Sequence, residues 1–398
     1  MRSTAAKRLE SWFDREIIVP PTGFNAVHLY RALASLCGYS DFKDDRHTNK
    51  LKEWIGRHKH YLFVLIDGLG LNHTRILPKN GFFEKHLSGE MKSVFPSTTA
   101  TALTSFSTGQ WPSDHGIVGW NTHLPEHGIT ILPLKASERI TRSPIRRYGF
   151  SLSSIIHAES IFPMLATDNR IFIHKRHRSG EFAKWAYPAM PRSGYKNLNQ
   201  IAERLAGATK KNIEPSFTYL YIEDIDSMSH KNGWGDDKVR SLVCKIDGVL
   251  GALREQLPPN TRMVVSSDHG HINIPENRHR ILKSDNRLLE YLHVPPSGES
   301  RMPIFHVIEG KEKQFLHEFE SQYGEAFLLL TPDDVEQCKL LGPGPLNRTT
   351  RERLGSWIGI AAGADAIEFV PAGRKSNGNT GMHGGLSEHE MRIPLFLA

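Results

Sequence analysis

The residues of this 398-residue chain that could do chemistry are acidic and histidine side chains beside apolar runs that read as buried strands. They are Asp67 after residues 61–66, Asp226 and His230 after 217–222, Asp268 and His269 after 263–267, and His383 before 393–397. The carboxyl ends of parallel strands meet at one edge of a sheet, where open α/β folds build their sites. We therefore expect these six side chains to converge.

A metal site explains this combination better than the separate residues do. An aspartate after a strand often only forms a turn or caps a helix, and two residues four apart merely share a helix face. Three carboxylates gathered in a partly desolvated pocket repel one another. Two divalent cations would leave that pocket net positive, which suits a phosphate ester. Imidazole and carboxylate without thiolate favour zinc, with manganese or iron as the alternatives.

A candidate nucleophile lies at the start of a predicted helix over residues 98–108, between a proline and a glycine. Ser97, Thr98 and Thr99 place hydroxyls where backbone N–H groups are free and the helix dipole is positive. Such groups stabilise an alkoxide and phosphoryl oxygens, and a bound metal lowers the hydroxyl pKa further. The alternative is that these hydroxyls simply cap the helix.

The elements that must position these residues alternate between strand and helix. Helices are predicted at 198–208 and at 239–253, where an apolar stripe has helical spacing. This alternation predicts an α/β fold with a doubly wound, mostly parallel sheet.

The predicted domain organisation is an α/β catalytic domain over residues 59–398, preceded by a helical N-terminal extension over 1–58 that packs on it. The strand–helix pattern is interrupted at about 125–190 and at about 275–375. The second interruption contains apolar runs at 305–308 and 326–330 around a charged helical stretch, and reads as a small inserted α+β subdomain.

Composition sets limits on partners and compartment. The chain has 50 Lys and Arg against 43 Asp and Glu, a formal net charge of +7 that favours anionic partners. The sequence contains no basic cluster interleaved with aromatic residues, so specific nucleic-acid binding is not expected. The three cysteines, Cys37, Cys244 and Cys338, show no metal or disulfide spacing. The sequence shows neither a signal-peptide pattern nor a membrane-spanning apolar run, which predicts a cytoplasmic protein of undetermined oligomeric state.

In this order the motifs resemble the alkaline phosphatase superfamily, and within it the type I phosphodiesterase/nucleotide pyrophosphatase branch. The matching segments are 61–118, which contains LIDGLG and FPSTTATALTSFSTGQWPSDHGIVG, then 217–235, 263–271 and 381–397. The resemblance implies helices on both faces of the sheet, with the two insertions forming a cap that faces the substrate. It also implies hydrolysis of a small phosphodiester, pyrophosphate or nucleotide through a phosphothreonine intermediate.

The resemblance further implies roles for individual residues. The implied ligands are Asp226, His230 and His383 for one metal, and Asp67, Asp268, His269 and Thr99 for the other. Thr99 is the implied nucleophile, with Thr98 as the nearest competitor and Thr101 as a more distant one.

The chain departs from the branch just after the nucleophile. Nucleotide pyrophosphatases usually carry Pro-Asn-His there, and the Asn binds a phosphoryl oxygen, but this chain has Thr101, Ala102 and Leu103. The oxygen then needs another donor, for which the Ala100 backbone N–H is a candidate, and nucleotide specificity is left open. His271 is either a group that supports the metal ligands or a surface histidine.

Two other functions remain compatible with these residues. A phosphomonoesterase or phosphonate hydrolase could use the same site, with extra charge from Arg142, Arg146 or Arg147 unless these form a solvated run. A binding protein that has lost catalysis is the other alternative, although the six intact ligand positions argue against it.

Overall fold

The computed structural model describes residues 4–12, 22–43, 45–77, 79–376 and 378–398, in which strands alternate with helices. The strands are β1 (His60–Ile66), β2 (Leu87–Lys92), β3 (Thr122–Leu124), β4 (Ile129–Leu132), β5 (Ser137–Glu138), β6 (Asp168–His174), β7 (Arg192–Tyr195), β8 (Ser216–Ile222), β9 (Thr261–Ser266), β10 (Ile272–Asn273), β11 (His279–Lys283), β12 (Ser297–Glu299), β13 (Met302–Phe305), β14 (Phe327–Leu330), β15 (Trp357–Ala361), β16 (Ala366–Val370), β17 (Gly381–Met382) and β18 (Arg392–Leu397). The α-helices are α1 (Thr4–Trp12), α2 (Ala26–Leu36), α3 (Arg46–Ile55), α4 (Phe82–His86), α5 (Thr99–Thr108), α6 (Pro112–His115), α7 (Leu152–Ile155), α8 (Glu181–Ala186), α9 (Ile201–Lys210), α10 (Asp224–Asn232), α11 (Asp237–Gln256), α12 (Glu312–Tyr323), α13 (Pro332–Gln337), α14 (Arg348–Arg353) and α15 (Glu388–Met391).

Seven strands form the central sheet, in the order β2-β18-β9-β1-β8-β6-β7. The strands from β9 to β7 run parallel, and β18 joins antiparallel between β9 and β2. All residues of β1 and β8 are buried, because helices cover both faces of the sheet. This is the predicted α/β fold with a mostly parallel, doubly wound sheet.

Alternate residues of β1 divide between two cores, as the period of a strand requires. Tyr61, Phe63 and Leu65 pack with residues of α2 and α5, whereas the side chains between them pack with residues of α9 and α11. The helix that carries Thr99 and the long helix α11 therefore lie against opposite faces, and the sheet edge between them is fixed from both sides.

The expected insertion at 125–190 is partly wrong, because β6 lies within it and belongs to the central sheet. β6 pairs in parallel with both β7 and β8. Only Ile171, Phe172 and Ile173 of β6 are buried, and Arg170 forms an ion pair with Asp168 at 2.6 Å. Because the buried run is so short and lies beside charged residues, the sequence pattern does not indicate a strand here.

The segment 275–375 contains a four-stranded antiparallel sheet in the order β12-β13-β15-β14, with α12 packed against it. The strand expected at 305–308 lies earlier, at 302–305. Phe305 packs between Phe315 and Phe319 of α12, which gives this sheet a core of its own.

The helices of the N-terminal segment pack in two places. The core residues of α2 and α3 pack together with central-sheet residues, whereas Ala5 and Leu9 of α1 join a core built mainly by the segment 275–375. Residues 1–3, 13–21 and 44 of this segment lie outside the described residues. Within the described ranges, no helix is long and apolar enough to cross a membrane, and no disulfide joins any of the three cysteines.

Candidate active site

The predicted site residues lie in loops and helix starts at one edge of the central sheet. Asp67 directly follows β1, the pair Asp226 and His230 lies on α10 just after β8, Asp268 and His269 follow β9, and His383 follows β17. The structure brings all six together, beside Thr99 at the first residue of α5.

Glycines allow the loops that carry the site residues to approach one another closely. Gly68 has φ of 75°, and a Cβ there would lie 2.9 Å from the Cα of Asp226. A Cβ on Gly270 would lie 2.1 Å from the backbone oxygen of His389. Only glycine fits these two positions without a shift of backbone, which explains the glycines in the Asp67-Gly68 and Asp268-His269-Gly270 turns.

The first group of side chains gathers around Asp226. Its Oδ1 lies 3.3 Å from Nε2 of His230, 3.6 Å from Nε2 of His383 and 3.1 Å from Nε2 of His271. The His271 side chain is fully buried, so the surface alternative for this residue is wrong. It belongs to the same set of possible metal donors.

The second group contains Asp67, Asp268 and His269. The His269 Nε2 lies 3.3 Å from Asp67 Oδ1 and 3.7 Å from Asp268 Oδ2. The Thr99 Oγ1 lies 3.1 Å from the same Nε2 and 3.3 Å from Asp67 Oδ1. The two groups adjoin, because the His269 ring stacks on the His383 ring with centroids 3.8 Å apart.

Backbone carbonyls fix the tautomers of these histidines. The Nδ1 atoms lie 2.7 Å from Gly381 O for His230, 2.9 Å from Ser97 O for His383, and 3.0 Å from Gly270 O for His269. A carbonyl can only accept, so each Nδ1 carries a hydrogen, and the lone pair that each ring has in its neutral form is on Nε2.

These lone pairs point at one another and at carboxylates. The Nε2 atoms of His230 and His383 are 3.2 Å apart, and the Nε2 of His269 faces Asp67. Acceptors that face each other at such distances are stabilised by a cation between them. Histidines that donate Nδ1–H to a carbonyl and turn Nε2 inward are typical of metal ligands, so the residues present fit two cations.

The carboxylates and imidazoles shift one another's pKa in opposite directions. Burial, with Asp268 and Asp226 nearby, raises the pKa of Asp67 well above its ordinary value. Burial opposes ionisation of Asp226 too, but His230 and His271 hold its pKa well below the usual range. Burial lowers the pKa of His230, but the Asp226 carboxylate outweighs this effect and raises the pKa to about 9. The pocket thus favours positive charge beside Asp226.

The hydroxyls before α5 do not act as simple caps, so the capping alternative is wrong. Thr98 is the N-cap residue, but its side chain makes no capping hydrogen bond. Ser97 instead donates to Gly385 O at 2.8 Å. The Thr99 hydroxyl points away from its own helix, toward Asp67 and His269. This places it at the positive end of the helix, next to the second group.

Two further groups at the site escaped the sequence-based prediction. The Tyr221 hydroxyl donates a short hydrogen bond to Asp67 Oδ2; its position at the end of β8 was a signal that it reaches the site edge. Glu299 accepts a hydrogen bond from the Trp120 N–H at 2.5 Å and lines the same cavity as Thr99 and His230. Glu299 comes from the inserted segment, and nothing near it in the sequence indicates this role.

A cavity of about 410 Å³ opens above Thr99, Asp226, His230 and His383. Its walls come from the central domain and from both interrupted segments. A volume of this size holds a small molecule and places part of it over the Thr99 hydroxyl.

A family model described as type I phosphodiesterase/nucleotide pyrophosphatase matches residues 61–145 and 151–355. The chain belongs to this family of the alkaline phosphatase superfamily, and it is a hydrolase that acts on phosphoric ester bonds. Members of the family use two divalent metal ions, and the two groups above could hold them. His383 lies beyond the matched residues, yet it joins the site.

Solved structures with a similar fold include both a phosphodiesterase and a phosphonate hydrolase. Murine ectonucleotide pyrophosphatase/phosphodiesterase 5 is 16% identical and has a TM-score of 0.63, with coverage of 84% of this chain and 87% of that chain. The human protein is 17% identical, with coverage of 85% and 87% and a TM-score of 0.63. Phosphonoacetate hydrolase from Sinorhizobium meliloti 1021, in complex with phosphonoformate, is 14% identical, with coverage of 84% and 89% and a TM-score of 0.61. At these identities the similarity shows the fold. A search of curated protein sequences gave no match.

Proposed function

We propose that this chain hydrolyses phosphodiester or pyrophosphate bonds of small molecules, with Thr99 as the nucleophile at a two-metal site. One observation supports this proposal above all. The Thr99 hydroxyl lies beside two adjoining groups of carboxylates and inward-facing Nε2 atoms, which divalent cations between them would stabilise. Family membership and the nucleotide pyrophosphatase fold support the same reaction class.

The contacts of these residues support an assignment to two metal positions. Asp226, His230 and His383 would hold one ion, and the other would lie among the second group. That second group consists of Asp67, Asp268, His269 and the Thr99 hydroxyl. Divalent ions there, zinc by donor type with manganese or iron as alternatives, would supply Lewis-acid stabilisation of the developing charge.

The protein's own groups carry out the remaining work. The Thr99 hydroxyl proton lies within reach of Asp67, whose Oδ2 is held by Tyr221. As the Oγ–P bond forms, Asp67 takes the hydroxyl proton, and the ester oxygen leaves with the bonding pair and takes a proton from solvent. The first N–H groups of α5, with that of Ala100 nearest to the nucleophile in sequence, face the phosphoryl oxygens. Water then attacks the phosphothreonine, the Oγ–P bond breaks, and a proton returns to Oγ.

Metal stoichiometry tests the assignment directly. We expect chelator-treated protein to take up two zinc or manganese ions per chain, measured by elemental analysis after dialysis. The variant His230→Ala should retain one tightly bound ion, because only the group around Asp226 loses a ligand. His317→Ala, which removes an exposed histidine of α12, is the matched control and should still bind two. Equal stoichiometry in the two variants would contradict the assignment.

Hydrolysis of monoesters or phosphonates is the second candidate function. Two observations favour keeping it: Ala102 replaces the usual asparagine, and a phosphonoacetate hydrolase shares the fold. Against a monoester, Glu299 adds negative charge to a cavity that would have to accept a dianion.

Replacing Glu299 separates diester from monoester preference. Burial raises the pKa of Glu299 to about 7, so the carboxyl is ionised at more alkaline pH. In that range Glu299→Gln should raise kcat/KM for 4-nitrophenyl phosphate relative to bis(4-nitrophenyl) phosphate by about tenfold, because repulsion of the dianion is removed. The exposed Glu276→Gln serves as the control. A ratio that stays at the wild-type value in Glu299→Gln would show that Glu299 does not set this preference.

A further inference from the structure

Four basic residues line the outer part of the cavity that begins at Thr99. These residues, Arg139, Arg142, Arg374 and Lys375, form the basic rim. Two come from the segment 125–190 and two from the segment 275–375. The segments meet here, because Arg374 Nη2 donates to Ile140 O at 2.7 Å.

Arg139 is fixed in place by a backbone carbonyl and an aromatic ring. Its Nη1 donates to Pro296 O at 2.5 Å, and its guanidinium lies over the Phe369 ring at 5.2 Å from the centroid. Among the residues that the structure describes, no ion pair joins any member of the basic rim to an acidic side chain. Glu368 lines the same cavity and contacts His279 at 3.0 Å and Ser376 at 2.6 Å.

Burial destabilises the charged form of Arg139, and a bound anion would offset that destabilisation. Burial and the neighbouring Arg142 lower the pKa of Arg139 to about 10, although Glu138 and Glu368 act in the opposite direction, and the group stays positive at neutral pH. A partly desolvated guanidinium with free N–H donors is well suited to a carboxylate or phosphate, which it can bind through two parallel hydrogen bonds. Arg374 and Lys375 are exposed and add attraction at the cavity mouth.

We propose that the basic rim binds a second oxyanion of the substrate. The physiological substrate is then a small phosphate ester that carries a further phosphate or carboxylate on the part that points toward the cavity mouth. This inference rests on the proposed function and specifies its substrate class. A cavity of about 410 Å³ favours a small molecule over a nucleic-acid strand.

Three 4-nitrophenyl phosphodiesters test the proposal. The second ester group is phenyl in the neutral probe, 3-carboxyphenyl in the carboxylate probe and 3-phosphophenyl in the phosphate probe. We expect the wild-type enzyme to have a kcat/KM at least about tenfold higher on a charged probe than on the neutral one, mostly through KM. The two charged arms show which oxyanion the rim prefers.

Variants of the rim then show whether it is responsible. Arg139→Gln and the double variant Arg374→Gln/Lys375→Gln should lower kcat/KM on the charged probes about tenfold more than on the neutral probe. The double variant changes only exposed residues, so the test remains valid if Arg139→Gln does not fold. Arg178→Gln removes an exposed arginine that does not line the cavity and is the matched control. Equal losses on charged and neutral probes would overturn the proposal.

Binding separates this proposal from the proposed function. Calorimetry on metal-loaded Thr99→Ala measures the affinity for each probe without turnover. Tighter binding of a charged probe that depends on Arg139 supports the basic rim even if the wild-type enzyme cleaves none of the probes. Equal affinity for charged and neutral probes overturns it even if both are cleaved.

Discussion

Replacement of Thr99 by alanine is expected to lower kcat/KM on bis(4-nitrophenyl) phosphate by at least about a thousandfold. The hydroxyl lies 3.1 Å from His269 Nε2 and 3.3 Å from Asp67 Oδ1, at the positive end of α5, and among the described residues no other hydroxyl is bonded to these two atoms. Tyr221 also reaches Asp67, but it bonds the other carboxylate oxygen. In the proposed mechanism, loss of the Thr99 hydroxyl removes the covalent route, so the effect should fall on kcat.

Two variants keep this prediction specific to Thr99. Thr98→Ala removes a buried hydroxyl that makes no capping hydrogen bond to α5, and it should retain most of the activity. Thr99→Ser keeps a hydroxyl at the same point and should recover much of what alanine loses. Acid quench of the wild-type reaction followed by peptide mass spectrometry should find phosphate on Thr99. Phosphate on Thr98 or Thr101, or full activity in Thr99→Ala, would refute the assignment.

The sequence predicts the sheet best where a strand is buried on both faces. The runs 61–66, 217–222 and 263–267 became β1, β8 and β9, nearly residue for residue, because helices on both sides demand continuous apolar strands. The acidic and histidine residues that follow these runs are fixed by strand ends, so their convergence could be predicted as well. β6 was missed because it buries only a short run of side chains.

Other parts of the site depend on contacts that no local pattern encodes. Glu299 and Arg139 come from the two interrupted segments, and only the packing of those segments over the sheet brings them to one cavity. The inward direction of the histidine Nε2 atoms depends on backbone carbonyls, such as Ser97 O and Gly381 O, whose positions are independent of side-chain type. His383 was expected at the site because it precedes the last strand, the resemblance implied its role as a ligand, and its Nδ1 contact with Ser97 O sets the direction of its ring.

The His383 loop is also supported by a buried ion pair that the sequence did not reveal. Arg301, which lies between β12 and β13, donates from Nε to Glu390 Oε1 at 2.6 Å and from Nη2 to Oε2 at 2.9 Å, and both side chains are fully buried. Glu390 also accepts the Gly385 N–H at 2.8 Å, two residues after His383. The pair therefore ties the inserted sheet to the loop that carries a candidate metal ligand.

Breaking this pair should destabilise the protein more than most single substitutions. Arg301→Ala or Glu390→Gln leaves the remaining partner buried without its counter-ion, and either should lower the free energy of unfolding by about 3–5 kcal/mol. Urea denaturation measures the loss. Glu53→Gln, which removes one side of the exposed Lys50–Glu53 pair, is the control and should leave the midpoint unchanged.

The pH dependence of that loss identifies the carboxylate. Burial would raise the pKa of Glu390, but Arg301, with hydrogen bonds from Ser387 and Gly385, holds it below the ordinary value. The depressed native pKa means that the pair's contribution is complete above the pKa of the unfolded chain and is lost as pH falls through the native pKa. The difference in stability between wild type and Glu390→Gln should therefore shrink in acid.

If Glu390→Gln folds, it should also bind less metal than Glu53→Gln, because the Gly385 N–H loses a charged acceptor beside His383. A pH-independent difference with full metal binding would show that the pair neither carries charge nor supports the loop.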